Sequence, residues 1–193
     1  TTVINMFRKK TRKNIAVTST TGTSAILIKG STVHSYLGIG LGKGSIEFLF
    51  NKIMKWKFYR ERWTKLDALV IDEISMMPPK LFEKLEALGR LIRKSIRPFG
   101  GIQLILSGDF CQLPCVNVKE FCFETPVWDR CIKDVIYLTE IIRQTDPLFQ
   151  NVLNSVRFGE VPKEIEKALS DRVRKKVGKN GIRATKLFSI NKN

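Results

Sequence analysis

Ala68-Leu-Val-Ile-Asp-Glu-Ile-Ser75 and Leu104-Ile-Leu-Ser-Gly-Asp-Phe-Cys-Gln-Leu-Pro114 are built alike: each is a short apolar run that stops abruptly in acidic or amide side chains. A continuous apolar run of this length reads as a strand buried in a parallel sheet, with the polar residues at its carboxyl end. In open α/β sheets that edge is where ligands bind. Lys80–Ile96 lies between the two runs, and its Leu81, Leu85, Leu88 and Ile92 recur at helical spacing. Pro78-Pro79 suits a first helical turn, and the basic cluster Arg90–Arg97 suits the negative end. Strand, helix and strand in this order predict an α/β fold with a mainly parallel sheet and helices on both faces.

Outward from this unit the pattern continues. Val3–Lys10 reads as a helix and Asn14–Thr18 as a short buried strand, followed by the hydroxyl and glycine cluster Thr18–Ser24. Ala25–Gly30 is expected to be the next helix. Gly38, Gly40, Gly42 and Gly44 stand at alternate positions and predict a tightly turned loop. Ile102–Ser107 and Val135–Leu138 are expected strands, and Lys186–Ile190 the start of another.

A chain of 193 residues is long enough for one well-buried α/β core. Its net charge of +16 is unevenly placed. Residues 1–65 hold 13 Lys and Arg against 2 acids, residues 66–150 hold 10 against 12, and residues 151–193 hold 11 against 4. A nearly neutral middle between basic flanks suits a polyanion bound beside a separate reaction site, or reads as a solvated basic surface. No apolar run approaches the roughly 18 residues of a membrane span. Cys111, Cys115, Cys122 and Cys131 contain no C-x-x-C, make only a weak zinc-site pattern and read rather as reduced thiols of an intracellular protein.

The strand ends carry the chemistry. Asp72 is placed to hold magnesium, and Glu73 to orient or deprotonate an attacking water. Gly108-Asp109 and Gln112 at the next strand end place an amide where it can sense a γ-phosphate. Arg143, in Leu138-Thr-Glu-Ile-Ile-Arg-Gln144, reads alone as a surface arginine, and after the other two motifs as a guanidinium fork that matches phosphate geometry. The hydroxyls and turn amides of Thr18–Ser24 suit a nucleic-acid backbone, and equally an ordinary helix cap. His34, the sole histidine, stands with Ser35 and Tyr36 and reads as a strand contact or as a structural residue. A complete G-x-x-x-x-G-K-[ST] is absent, yet Thr1-Thr2 leads straight into a helix as the final residue of a phosphate loop does. The start of the chain is therefore expected just after that loop's lysine.

In this order the residues resemble the Pif-type (petite-integration-frequency) DNA helicases of helicase superfamily one, over roughly residues 1–160. Ala16–Ala25 is similar to motif Ia, Thr32–Gly42 to the family's histidine and glycine run, and Asp72–Ser75 to motif II. Ser75–Glu86, continuing to Arg93-Lys94, resembles the stretch that marks this family. Phe99–Gln103 leads into Gly108–Pro114, similar to motif III, and Ile142–Gln144 sits where motif IV is expected. Cys111, Cys115 and Ile142 depart from the usual residues there.

The resemblance implies a RecA-like P-loop NTPase domain and an ATP-driven, 5′-to-3′ DNA helicase with magnesium as cofactor. Residues 1–160 would form motor domain 1A, and 161–193 a basic segment leading toward a second motor domain. It implies catalytic roles for Glu73, Gln112 and Arg143, the last as an arginine finger. Thr1, Asp72 and Asp109 would face the cofactor, with Asp72 and Thr1 at the metal. Thr20, Gly22 and His34 would lie near single-stranded DNA. Repair, recombination, telomere maintenance, DNA junctions and G-quadruplexes belong to the same implication, as does a nuclear location in a eukaryote. Without the loop lysine and the second domain, this chain alone is expected to be inactive. The alternative is a basic nucleic-acid-binding remnant that kept the fold and lost the ATPase.

Overall fold

The computed structural model describes residues 2–173. Helix α1 (Thr2–Lys10) leads into β1 (Ile15–Ser19). Helix α2 (Gly22–Leu27) begins three residues earlier than the expected Ala25, because the Thr21 side chain accepts from Ser24 N at 3.3 Å and caps the first turn. A two-residue strand, β2 (Ser31–Thr32), follows. Thr32 then caps α3 (Val33–Leu37), and Gly38 closes it at φ 70°, which glycine adopts without steric cost. The glycine loop is as expected, and two helices, α4 (Ile46–Lys55) and α5 (Lys57–Lys65), follow it.

The deciding runs form β3 (Ala68–Asp72) and β4 (Gln103–Leu106), joined through α6 (Pro79–Arg93). Helix α6 stops before the expected Ile96. Lys94 turns left-handed at φ 50°, and Ser95 N and Lys94 N fold back on Arg90 O (3.0 Å) and Leu91 O (3.3 Å). Helices α7 (Pro126–Cys131), α8 (Pro147–Arg157) and α9 (Lys163–Ser170) complete the described α-helices.

All pairings in the sheet are parallel, in the order β2-β1-β3-β4. Ala68, Leu69, Val70 and Ile71 are all buried, as a central parallel strand requires. Ala16, Leu69 and Ile71 share one face and one core with Leu85 of α6, Leu49 of α4 and Trp63 of α5. Val17 and Val70 face the other way and are buried as well, so the sheet is covered on both sides.

The expected strand Val135–Leu138 is irregular, with exposures from 63% to 91%. Its apolar pattern is real, but a strand exists only beside a hydrogen-bonding neighbour, and among the described residues it has none. Lys186–Ile190 lies outside the described residues. The chain divides into two compact units, Thr1–Tyr137 and Leu138–Asn193. The expected boundary at 160 falls inside the second, where Val152 of α8 and Ile165 of α9 are buried. No described helix is long and apolar enough to cross a membrane.

Candidate functional site

Strand register assembles the site. Ser19 pairs with Asp72 across β1 and β3, Ser19 with Thr32 across β1 and β2, and Ile71 with Leu106 across β3 and β4. The carboxyl ends of four strands therefore lie along one edge, with Asp72 and Glu73 at its centre.

Asp72 and Glu73 are half-buried. The Asp72 carboxylate accepts from Ser24 Oγ at 2.5 Å, and its backbone carbonyl accepts from Ser19 Oγ (3.2 Å) and Thr20 N (3.1 Å). Glu73 is left-handed, at φ 56° and ψ 45°, a geometry that costs a non-glycine residue about 1–2 kcal/mol. Its carbonyl accepts from Thr20 Oγ1 at 2.8 Å and from Met76 N at 3.1 Å. Non-glycine backbone in this region concentrates at functional sites, where the surroundings hold it in place.

The Gln112 loop is tied to the same turn. Ile74 N donates to Ser107 O, and Ser107 N to Ile71 O, both at 3.0 Å. A Cβ at Gly108 would sit 2.9 Å from Ile74 N, so only glycine lets the two strand ends approach this closely. Beyond it, Asp109 accepts from Cys111 N and from Gln112 Nε2, each at 3.0 Å. Asp109, expected at the cofactor, thus holds the Gln112 amide, which is itself exposed at the edge.

Asp72 and Glu73 supply hard carboxylate oxygens. Magnesium keeps several waters and takes one or two carboxylates together with phosphate oxygens, so the donor set fits that ion. Among the described residues no three His, Cys, Asp or Glu side chains converge. Thr1, the other expected metal residue, lies outside the described residues.

On the β2 side of the edge, His34 in α3 lines a cavity of about 330 Å³ with Thr32, Ser35, Lys52, Trp56 and Tyr59. Burial lowers the His34 pKa, which favours the neutral ring. Trp56 is 59% exposed there. Arg62 is already engaged: it stacks between Tyr36 (4.5 Å) and Phe58 (3.9 Å) and donates to Tyr36 O. Gly22 is exposed at the start of α2, whereas Thr20 is half-buried and its hydroxyl faces Glu73. Arg143 belongs to the second unit, where it is exposed in a bend ahead of α8. Residue spacing did not single out Ser19 or Ser24 as partners of Asp72, because the β1–β3 register that joins them is invisible in one strand alone.

The profile of the PIF1-like helicases matches residues 1–167. The chain belongs to the PIF1-like helicases. It is 48% identical over 195 residues to uncharacterized protein 030L of Invertebrate iridescent virus 6, covering 93% of this chain and 37% of that protein. It is 43% identical over 184 residues to the ATP-dependent DNA helicase RRM3 of Saccharomyces cerevisiae, covering 92% of this chain and 25% of that one. The crystal structure of the Pif1 helicase from Candida albicans superposes with a TM-score of 0.92 at 40% identity, over 98% of this chain and 44% of that chain. The Bacteroides Pif1 helicase in complex with ADP-AlF3 and ssDNA gives 0.72 at 34% identity, over 86% and 41%. The sheet is thus the RecA-like one of PIF1-like helicases. The chain spans 19–37% of the length of the curated relatives it matches.

Proposed function

We propose that this segment is the hydrolytic half of an ATP-driven DNA helicase that moves 5′ to 3′ on single-stranded DNA. The observation that carries the reading is the shared sheet edge. Strand register brings Asp72, Glu73 and the Gln112 loop together, with the His34 cavity two strands away. The RRM3 relative is named an ATP-dependent DNA helicase, and the Bacteroides neighbour was solved with ADP-AlF3 and ssDNA. Both names support this reading.

Bound magnesium-ATP supplies the phosphoanhydride and the charge that makes its phosphorus electrophilic. Asp72, with Thr1, would hold the ion. Glu73 would orient the attacking water and accept its proton, while the Gln112 amide, held by Asp109, would donate to phosphate oxygen. Arg143 would supply a guanidinium to the charge that develops on phosphate. Residues 1–160 act as motor domain 1A, with 161–193 leading toward the second. Gly22 and His34 face the DNA strand. Junctions and G-quadruplexes as substrates, and service in repair, recombination and telomere maintenance, extend this reading.

In the complete protein, Glu73→Gln is expected to bind ATP normally and to lose DNA-stimulated hydrolysis by about 100-fold or more. Normal turnover would remove Glu73 from its role. A wild-type protein that binds DNA but never hydrolyses ATP would favour the non-catalytic reading. Duplexes with a 5′ or a 3′ single-stranded tail settle direction, since only the former should be unwound.

A further inference from the structure

We propose that Thr20 is a positioning residue that sets the backbone of Glu73 and so couples the strand-contacting segment to the hydrolytic carboxylate. The inference rests on the helicase reading above. The φ and ψ of a residue are fixed by the orientations of the two peptide planes that flank it. For Glu73 those planes end in the carbonyls of Asp72 and Glu73, and Thr20 binds both. Thr20 N donates to Asp72 O at 3.1 Å, and Thr20 Oγ1 donates to Glu73 O at 2.8 Å. One residue just past the end of β1 thereby holds both sides of left-handed Glu73, with Ile74 N anchored on Ser107 O beyond it. Ser24, four residues on, takes the Asp72 carboxylate at 2.5 Å.

The consequence concerns how DNA reaches the chemistry. A hydroxyl already donated to Glu73 O is not the group that holds a phosphate. The exposed neighbours, Gly22 and Thr23, face solvent in the same turn. A strand pressing on that turn shifts Thr20, Thr20 shifts both peptide planes, and the Glu73 carboxylate swings with them. DNA stimulation of hydrolysis then passes through this one side chain.

The test uses the complete protein and compares wild type, Thr20→Val and Thr20→Ser. Four quantities are measured: affinity for single-stranded DNA, KM for ATP, kcat at saturating DNA, and amide hydrogen exchange of residues 73–76 without nucleotide. Thr20→Val is expected to keep DNA affinity and KM within about 2-fold and to lose kcat by about 10-fold or more, since small misplacements of a catalytic group cost up to about 100-fold. Exchange at Ile74 and Met76 should quicken as the turn loosens. Thr20→Ser restores both. A Thr20→Val protein that loses DNA affinity about 10-fold while keeping kcat would make Thr20 a plain DNA ligand and overturn the proposal. No change in any quantity overturns it as well. If wild type shows no DNA-stimulated hydrolysis, the helicase reading fails, and exchange alone still decides whether Thr20 holds the Glu73 turn. Should Thr20→Val fail to fold, Thr20→Cys against Thr20→Ser makes the same comparison at matched size.

Discussion

Single residues at this edge are constrained by backbone contact more than by side-chain chemistry. Gly108 is the clearest case: Gly108→Ala drives a methyl against Ile74 N and its Cγ2 at 2.9 and 3.0 Å. The strand ends must part, and a loss of about 1–3 kcal/mol is expected in chemical denaturation, with weaker hydrolysis in the complete protein. The cysteines differ by burial. Burial pushes the Cys122 thiol up to about 12 and the Cys131 thiol up to about 11, while Cys111 is exposed. At pH 8 iodoacetamide should therefore modify Cys111 well before Cys122, as mass spectrometry can follow. His34 gives a pH signature. Its folded pKa lies below 6.5, so as pH falls through 6.5 the unfolded chain takes the proton first and stability declines until the folded pKa is passed. His34→Gln should flatten the Tm against pH curve in that interval.

At the scale of elements, α6 organises the first unit. Its Leu85 is fully buried and its Leu91 is 51% exposed. Leu85→Ala should cost about 2–5 kcal/mol, and Leu91→Ala less than about 1 kcal/mol. The last turn does more than end the helix. Arg93 Nε donates to Gly100 O at 2.7 Å, and its Nη1 reaches the carbonyls of Trp63, Thr64 and Leu66 at 2.8–3.0 Å. One guanidinium thus closes the carboxyl end of α5 and the turn before β4. Lysine cannot reproduce that fork, and Arg93→Lys should lower stability by about 2 kcal/mol in urea titration. The turn itself needs glycine: Gly100 has φ 66°, and a Cβ there would meet Gly89 O at 2.3 Å. These contacts give a structural reason for Ser75–Lys94 and Phe99–Gln103 to stand together in the sequence.

Across the whole chain, the +16 charge sits on the flanks of a nearly neutral middle. Binding of the chain to single-stranded DNA should weaken steeply with salt, each phosphate contact adding about −0.7 to the slope of log K against log salt. A flat response would remove the basic flanks from the contact surface. The two deciding strands, α6, the opening helix and the glycine loop were legible, because hydrophobic period and glycine placement report burial and turns directly. Also visible was that Asp72, Glu73 and Gln112 follow the two apolar runs, and the register sets those strand ends along one edge. Strand neighbours were not legible. Val135–Leu138 carries the apolar pattern of a strand and stands exposed, since pattern supplies a buried face but not a partner for the backbone. Thr18–Ser24 announced its hydroxyls but not their direction. The sequence by itself determined the parallel α/β core, with carboxylates and an amide following its two apolar strands. Only the tertiary structure decided that Thr20 and Ser24 turn inward onto Glu73 and Asp72, because that depends on the register of two strands set by hydrogen bonds between segments about fifty residues apart.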